Sequence, residues 1–581
     1  MKRYILLILL CFSFLGYAQD QSSVPGFLRA EGKKIVDGNG ENVILRGIGL
    51  GGHMLQEGYM LKVPFSGQQY VFEQHMQELI GEEKTKEFYA AWLSNFTQKK
   101  DIDSLKSWGF NSIRLPMHYN LYTLPVDREP VAGENTWLEK GFEMTDQLVE
   151  WCRENGMYLI LDMHAAPGGQ GHDVNISDRD PAKPSLWESE ENQEKLLQLW
   201  KKLAERYKDE PVIGAYDLIN EPNWSFEEGK NINGIEDTEN KLIRDLQVRI
   251  TKAIREVDKN HIVIMEGNGW GNNYRGILPP WDDNLVLSFH KYWSYNDQAS
   301  IQQFLDFREK YDIPIWLGES GENSNAWFAD AIGLMEENNI GWCWWPLKKL
   351  GFNNPVEIKV NPGYGDILKY WAGEGEKPSE EKAYKAFMQL AEDTKIENGI
   401  IHYDVIDAMM RQPHSKETTP FKNLTLSEKT EIPAAHYDLG NDGYAYKDNV
   451  SGNYWVSTGG ERESWNNGRV YRNDGVDLFL KDNEVYVGDT EAGEWLQYTF
   501  QANNAGTYKL SSRVASKRDA GKAVIEINGK EVGELDISNT SGDWLWQETG
   551  DIEVQKGLNK LKFRIIDGGF DLQAFKLEKA K

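Results

Sequence analysis

Cysteine is scarce in this chain of 581 residues, which contains three cysteines in all. Cys11 lies in an apolar N-terminal run, so Cys152 and Cys343 remain for the folded protein. Two cysteines do not make the disulfide framework of a small secreted domain, and they cannot build a cysteine zinc site. Cys152 falls in a helical pattern and Cys343 in a strand pattern, so we expect two free thiols in the core.

Long apolar runs are missing everywhere except at the N-terminus. Lys2 and Arg3 precede an apolar stretch that ends near Phe14, and Gly16-Tyr17-Ala18 supplies small residues for a cleavage site. This order is typical of a secretory signal peptide, which is too short to span a membrane. We therefore expect residues 1–18 to be removed and the mature protein to be secreted, into the medium, the periplasm or the cell surface.

Positive charge is in short supply, because 64 lysine and arginine residues face 91 acidic residues and the formal net charge is −27. Such a chain repels phosphate backbones and anionic membranes, which argues against nucleic acid as a partner. A neutral substrate fits this charge better than a strongly anionic polysaccharide does. Aromatic residues, by contrast, make up 12% of the chain, and flat rings suit both large cores and stacking on sugars.

Short β-rich runs alternate with longer helical patterns between about residues 32 and 400, and residues 379–398 read as a closing helix. Eight runs in this alternation predict an α/β fold in which a parallel sheet closes into a (β/α)8 TIM barrel. An open doubly wound sheet is the alternative, but no G-x-G-x-x-G motif follows the first run. The eight runs are Val43–Gly49, Ser112–Met117, Tyr158–His164, Ile213–Pro222, Ile262–Gly267, Leu285–Tyr292, Pro314–Glu319 and Gly341–Pro346.

The pattern changes after residue 400. Residues 401–430 contain Pro413 and Pro420 and no clear periodicity, which is typical of a connector. From residue 431 onward, short alternating strands are divided by Gly, Asn and Asp turns, which predicts an all-β sandwich of the jelly-roll kind. We expect a barrel over residues 25–400, a linker over 401–430 and a sandwich over 431–581.

Two glutamates end predicted barrel strands, Glu221 in Leu218-Ile219-Asn220-Glu221-Pro222 and Glu319 in Trp316-Leu317-Gly318-Glu319-Ser320. The carboxyl ends of the strands form the active-site face of such a barrel. A carboxylate beside an apolar strand is costly unless it is paired or functional. Glycoside hydrolysis needs two carboxyl groups that flank the scissile bond, so this pair predicts a glycosidase. Other polar and aromatic residues also end strands: Arg114, His164, Asn220, His290, Tyr292 and Trp345.

These motifs, taken in strand order, resemble glycoside hydrolase family 5 over about residues 25–400. The resemblance implies that Glu319 attacks the anomeric carbon and that Glu221 acts first as acid and then as base. It also implies a retaining reaction, for which the two carboxyl groups should lie about 5–5.5 Å apart.

The resemblance assigns roles to the other strand-end residues as well. Arg114 and Tyr292 would hydrogen-bond Glu319 and keep it ionised. Asn220 would bind the sugar 2-hydroxyl, a contact that strengthens toward the transition state. The remaining three would position hydroxyl groups or the acid/base, or stack beneath the sugar: His164, His290 and Trp345.

The stretches 46–52 and 161–168 are similar to the exo-β-1,3-glucanase branch of that family, although His53 stands where the branch usually carries Trp. We therefore expect a neutral β-glucan as the polysaccharide substrate and leave the linkage and the endo or exo mode open. A β-mannanase, a retaining transglycosylase and a non-catalytic glycan-binding barrel are the alternatives. No redox cofactor and no catalytic metal are implied, and we expect a monomer.

Residues 431–579 resemble carbohydrate-binding module family 6, with Trp544 where that family keeps a sugar-stacking aromatic. Asp489 replaces a second aromatic, Asp571 replaces a terminal Asn, and Ala435 replaces a Glu expected near a structural calcium ion. The resemblance implies the sandwich fold, while these replacements leave sugar binding and a structural calcium ion open. A structural appendage is the alternative for this domain.

Overall fold

The structure of the chain is a computed structural model that describes residues 24–518 and 521–580. The predicted signal peptide, residues 1–18, lies outside this range. Among the described residues, no helix has the length and apolar character that a membrane crossing requires. Cys152 and Cys343 are both free and buried, as expected from their positions in a helix and a strand.

Eight parallel strands form a closed barrel, which confirms the predicted fold class. Nearly all of their residues are buried on both faces, so the strands appear in the sequence as almost continuous apolar runs. Each strand pairs with the next in the chain, and β8 closes the barrel against β1 through pairs such as Trp342 with Arg46. The strands are β1 (Arg46–Gly49), β2 (Ser112–His118), β3 (Tyr158–Ala165), β4 (Ile213–Asp217), β5 (Ile262–Met265), β6 (Leu285–Lys291), β7 (Ile315–Gly321) and β8 (Gly341–Trp345).

Helices surround the barrel, and most of them bury one face against it. The helix Lys241–Val257, for example, buries its apolar stripe and leaves its charged face in water. The longer helices are Gln69–Asn95, Lys99–Trp108, Glu139–Asn155, Glu190–Tyr207, Lys241–Val257, Gln302–Tyr311, Asn325–Glu337, Pro362–Trp371 and Glu380–Asp393.

The fourth strand is shorter than the sequence predicts. We expected Ile213–Pro222, but β4 ends at Asp217. Glu221 has a φ of 45°, a left-handed conformation that no strand residue adopts. Asn220 and Glu221 therefore lie in the turn that follows β4, and this turn still places both side chains at the barrel mouth.

The segment predicted as a connector contains ordered structure. A helix spans Tyr403–Met410, and its Val405 and Met409 are buried in the core of the barrel. Its apolar positions recur at helical spacing, a pattern that the prolines farther along the segment obscure.

A separate core lies beside the barrel. Residues from the helices Gln69–Asn95 and Glu380–Asp393 pack there, including Phe72, Trp92 and Phe387. This core supports the loop that follows β1, because Trp92 donates a hydrogen bond from its Nε1 to the carbonyl oxygen of Gly52 at 2.8 Å. The loop is thereby held over the mouth of the barrel.

The C-terminal domain is an antiparallel β-sandwich, as predicted. One sheet has the order β11-β12-β19-β14-β17 with β9 paired to β19, and the other has the order β10-β13-β18-β15-β16. Aliphatic and aromatic side chains from both sheets fill the space between them. The strands are β9 (Lys429–Pro433), β10 (Tyr446–Lys447), β11 (Leu478–Lys481), β12 (Glu484–Val487), β13 (Trp495–Ala502), β14 (Gly506–Ser516), β15 (Gly521–Ile527), β16 (Lys530–Ile537), β17 (Leu545–Val554), β18 (Gly557–Asp567) and β19 (Phe570–Lys579).

Candidate active site

The guanidinium group of Arg114 lies inside the barrel with none of its surface exposed to solvent. Four carboxyl groups surround it, and each has an oxygen within hydrogen-bond or ion-pair distance. The distances are 2.8 Å to Glu319 Oε2, 2.8 Å to Asp217 Oδ2, 3.2 Å to Asp162 Oδ1 and 3.3 Å to Glu266 Oε1. Burial and the neighbouring charge of Glu266 raise the pKa of Asp217 well above its ordinary value. Asp217 can therefore hold a proton, which reduces the repulsion among the four groups.

Glu319 lies in β7 and accepts two hydrogen bonds. Its Oε2 accepts from Arg114, and its Oε1 accepts from the hydroxyl of Tyr292 at 2.9 Å. The side chain is 8% exposed, so it faces the opening of the barrel rather than the closed interior. Burial and the charge of Glu319 raise the pKa of Tyr292 well above its ordinary value, so the phenol keeps the proton that it donates.

Glu221 differs from Glu319 in its surroundings. Its backbone N–H donates to Glu266 Oε2 at 2.7 Å, which fixes the left-handed turn. Its Oε1 lies 2.6 Å from Nδ1 of His290. Burial raises the pKa of Glu221 above its ordinary value, and His290 opposes part of that shift. A carboxyl group with a raised pKa is suited to donate a proton near neutral pH.

His290 bridges two carboxylates, because its Nδ1 faces Glu221 and its Nε2 lies 3.2 Å from Glu266. Although burial opposes the charged ring, Glu266 and Glu221 raise the pKa of His290 well above its ordinary value. Burial likewise opposes ionisation of Glu266, but His290 and Arg114 lower the pKa of that carboxyl.

The carboxyl groups of Glu221 and Glu319 meet at the mouth of the barrel. One oxygen of each lies within 4.8 Å of the other, and His290 has a ring nitrogen at the same range. This spacing is on the side of a retaining pair, at about 5–5.5 Å, and below the wider separation of about 6.5–9.5 Å in inverting enzymes.

The floor of the site is formed by Trp345 and His164, whose rings stack at 5.0 Å with 2° between their planes. Trp345 lies against Gly49 and Gly51, where an added Cβ would meet its ring at 2.8 and 2.6 Å. Glycine is therefore required at both positions by the close approach of the indole. Burial opposes the charged form of His164. Asp162, whose Oδ2 lies 2.7 Å from Nδ1 of His164, nevertheless raises the pKa of that histidine to about 10.

Asn220 links Arg114 to His164. Its Oδ1 accepts from Arg114 at 2.7 Å, and its Nδ2 lies 3.3 Å from Nε2 of His164. Asn220 is fully buried, so its side chain has a fixed direction. The structure thus brings all eight barrel residues that the sequence singled out to one mouth, and the roles given to them stay predictions.

Several residues of the site were missed by the sequence analysis. Glu266 directly follows the apolar run of β5, so the strand-end signal that identified Glu221 was also present there. Asp217 ends β4, while Glu57 and Tyr59 belong to the loop after β1, which has no local signal of function. Burial raises the pKa of Glu57 to about 7, and one of its oxygens lies 3.6 Å from His164. Tyr59 accepts from Nε1 of Trp345 at 2.8 Å.

In the sandwich, Trp544 is half-buried just before β17. It contacts Tyr486 edge to face at 5.3 Å, and Tyr486 stacks on Phe479 at 5.6 Å. An aromatic partner is therefore present close to Asp489, although at a different position from the one that the resemblance implied. Ala435 is buried and offers no side-chain oxygen to a cation. Sugar binding at Trp544 and a calcium site stay predictions.

Comparison with known families decides the class of the barrel. Residues 72–351 match the family model of cellulase, glycosyl hydrolase family 5. The barrel is a glycosyl hydrolase family 5 domain. The chain is therefore a glycoside hydrolase, as its paired glutamates predict. Residues 476–577 match carbohydrate binding module family 35, so the module family differs from the family 6 that we expected, while its class as a carbohydrate-binding module is confirmed.

The similar proteins of known name include several glycosidases. A beta-xylosidase of Phanerodontia chrysosporium is 26% identical over 379 residues, which cover 59% of this chain and 75% of that protein. Endoglucanase C of Acetivibrio thermocellus is 25% identical over 319 residues, which cover 44% of this chain and 85% of that protein. A probable glucan 1,3-beta-glucosidase A of Aspergillus clavatus is 24% identical, with coverage of 51% of this chain and 69% of that protein.

Among solved structures, the chain is similar to endoglucanase Cel5A of Thermotoga maritima. The sequence identity is 18%, the coverage is 50% of this chain and 90% of that chain, and the TM-score is 0.35. The closed barrel of eight parallel strands shows the fold directly.

Removing the charge of Arg114 should destabilise the protein strongly. In Arg114→Met the carboxylates of Asp162 and Glu266 lose a buried cationic partner, which costs about 3–5 kcal/mol. The loss in the free energy of unfolding should become smaller as the pH falls, because the carboxylates that lack a cationic partner can then bind protons. Thermal and denaturant unfolding at pH 4.5 and pH 7.5 measures this difference.

Arg153→Met is the matched control, since Arg153 is a partly exposed arginine paired with Glu150 on the surface. The free energy of unfolding of this variant should differ from that of the wild type by less than about 1 kcal/mol at both pH values. An Arg114→Met loss that is equally small, or that does not depend on pH, would show that Arg114 does not hold the carboxylates in place.

Proposed function

We propose that this chain is a retaining β-glucan hydrolase in which Glu319 is the nucleophile and Glu221 is the acid/base. The observation that carries the proposal is the opposed surroundings of two carboxyl groups whose oxygens come within 4.8 Å. One group, Glu319, accepts a hydrogen bond from the buried and permanently charged guanidinium of Arg114. The other has a pKa raised by burial. A pair in which one carboxyl is ionised and the other is protonated is the starting state of a retaining glycosidase.

In the first step, an oxygen of Glu319 attacks the anomeric carbon of the bound sugar. The bond from that carbon to the glycosidic oxygen breaks, and the departing oxygen takes the proton of Glu221. The products of this step are a glycosyl ester on Glu319 and a leaving group with a free hydroxyl. Arg114 and Tyr292 hold Glu319 in position for the attack through the contacts described above.

In the second step, Glu221 is a carboxylate and accepts a proton from water as the water oxygen attacks the same carbon. The ester bond breaks, and Glu319 returns to its ionised form beside Arg114. Two displacements on one carbon restore its configuration, so the product has the β configuration of the substrate. Asn220, between Arg114 and His164, is placed to bind the hydroxyl next to the reacting carbon.

A β-glucan is the substrate class that we infer. Two of the similar proteins named above act on glucans by name, an endoglucanase and a glucan 1,3-beta-glucosidase. The net charge of −27 favours a neutral polymer. The names of those relatives differ in linkage, so the linkage has to come from experiment.

Product analysis on a panel of glycans tests the proposal. Laminarin, mixed-linkage β-glucan, carboxymethylcellulose, pustulan and glucomannan are incubated with the mature protein, with an aryl β-xyloside as an added probe. We expect sugar release from at least one glucan, with the β anomer appearing first in a time-resolved NMR spectrum. First appearance of the α anomer would contradict retention, and silence on every glucan would contradict the substrate class.

The pH dependence of kcat/KM should report on Glu221. A general acid must be protonated, so activity falls as pH rises through the pKa of Glu221, which burial has raised. His290→Gln removes a positive charge that lowers this pKa. The pKa of Glu221 should therefore rise further, and the alkaline limb of the profile should move to higher pH.

His261→Gln is the matched control for this measurement. His261 is also buried and paired, through a contact between its Nδ1 and Asp258, but it precedes β5 at the opposite end of the barrel. Its pH profile should coincide with that of the wild type. A His290→Gln limb that stays in place, or that moves to lower pH, would contradict the assignment of Glu221 as the acid.

A further inference from the structure

The sandwich contacts the barrel beside the nucleophile. Asn323, two residues after the end of β7, is fully buried, and its side chain bonds the backbone of Asn453 in both directions. Its Nδ2 donates to the Asn453 oxygen at 2.8 Å, and its Oδ1 accepts from the Asn453 nitrogen at 2.9 Å. These contacts fix a segment of the second domain at the barrel mouth.

A second buried polar cluster reinforces the same contact. Asn325 donates from its Nδ2 to Asp404 at 2.8 Å and to Asp474 at 3.0 Å. Its backbone nitrogen donates to the carbonyl oxygen of Asn473 at 2.8 Å. All four residues are at most 2% exposed. Buried and mutually satisfied polar groups of this kind specify one arrangement of the two domains.

A row of aromatic rings runs from the nucleophile into the sandwich. The hydroxyl of Tyr292 bonds Glu319, and the ring of Tyr292 lies 5.2 Å from that of Trp293. Trp293 in turn lies 5.9 Å from Trp455, which belongs to the second domain. The nitrogen of Val456 donates to the carbonyl oxygen of Trp293 at 3.0 Å, so the two segments are also joined through the backbone.

Trp293 is held in an unfavourable backbone conformation. Its φ is 48°, which is a left-handed value that bulky residues rarely adopt. A hydrogen bond from its Nε1 to the carbonyl oxygen of Glu322 at 3.2 Å and the contact with Val456 maintain this conformation. Strain of this kind concentrates at binding and catalytic sites, where the surrounding structure over-determines a side-chain direction.

Arg462 covers the two indoles. Its guanidinium carbon lies 4.6 Å from the ring centre of Trp293 and 5.1 Å from that of Trp455. The side chain is exposed, and within residues 24–518 and 521–580 it has no carboxylate or other hydrogen-bond partner. An arginine that is positioned by aromatic faces but keeps its N–H donors free is prepared to bind an oxygen-rich ligand.

We propose that Trp293, Trp455 and Arg462 form a sugar subsite that both domains build together. Its occupant is a further pyranose unit of the same neutral β-glucan chain whose glycosidic bond is cleaved at Glu221 and Glu319. Both indoles are partly exposed and offer the apolar surface that Arg462 leaves open to the C–H groups of the ring, while Arg462 donates to its hydroxyls. This inference rests on the proposed function, and it makes the second domain a part of the catalytic cleft rather than a separate anchor.

The first test compares long and short substrates. The readout is the ratio of kcat/KM for a glucan hexasaccharide to kcat/KM for an aryl β-glucoside, which cannot reach a distant subsite. In Trp455→Ala and in Arg462→Ala of the full chain, this ratio should fall about three- to tenfold, the range expected for loss of an aromatic or cationic contact. An unchanged ratio overturns the inference, and so does an equal loss on both substrates, because that pattern indicates a structural role.

Trp546→Ala is the matched control. Trp546 is a partly exposed tryptophan of the same domain, with the ammonium group of Lys576 at 4.6 Å from its ring centre. Trp546 and Lys576 form a cation–aromatic pair like that of Trp455 and Arg462, but Trp546 lies on β17 of the sandwich. The ratio in this variant should equal that of the wild type, and a fall as large as in Trp455→Ala would contradict the inference.

The second test measures binding without turnover, so that it separates this inference from the proposed function. Calorimetry measures the affinity of laminarihexaose and of cellohexaose for the full chain. The two proteins compared both carry Glu319→Gln and Trp544→Ala, and one of them also carries Trp455→Ala. A weaker affinity in the Trp455→Ala chain supports the subsite even if the wild type hydrolyses no glucan. Equal affinities, or no binding of either hexasaccharide, overturn it.

Discussion

A single buried cation, the guanidinium of Arg114, is the constraint on which the active site depends. It lies among four carboxyl groups in the barrel interior, where none of its surface is exposed to solvent. Carboxylates at such depth would otherwise bind protons or expand the barrel to reach solvent. Two neighbouring groups reduce the repulsion among these carboxyl groups. Asp217 has a raised pKa, and His290 supplies a second cation to the same oxygen of Glu266 that Arg114 contacts. This arrangement leaves Glu319 paired with a permanent positive charge and Glu221 with a raised pKa.

The two domains are connected at the point where this electrostatic arrangement meets the substrate. The loop after β7, which follows Glu319, carries Asn323 and Asn325 into contact with the sandwich. The loop after β6, which follows Tyr292, carries Trp293 into contact with Trp455. The same two loops therefore carry the groups proposed for catalysis and dock the second domain. Under the subsite proposed above, the second domain influences which glycan chains reach the glutamates.

The barrel could be predicted from the sequence because its strands are buried on both faces and appear as apolar runs between amphipathic helices. The paired glutamates could be predicted because each lies at the end of such a run. Glu266 has the same signal, but in a chain with 91 acidic residues it did not stand out without a partner. Tyr59 and the contact of Asn325 with Asn473 could not be predicted, because they depend on how distant segments pack. The end of β4 was misplaced since the left-handed turn at Glu221 leaves no mark in hydrophobic periodicity.

The identity of the nucleophile is the central claim, and covalent trapping tests it most directly. A 2-deoxy-2-fluoro glycosyl fluoride of the sugar that the enzyme cleaves should inactivate the protein in a time-dependent manner, because the fluorine slows hydrolysis of the ester more than its formation. Digestion and tandem mass spectrometry should then place the added sugar on Glu319. A label on Glu221 or on any other carboxyl group would contradict the account, and so would inversion of the product without a trapped ester.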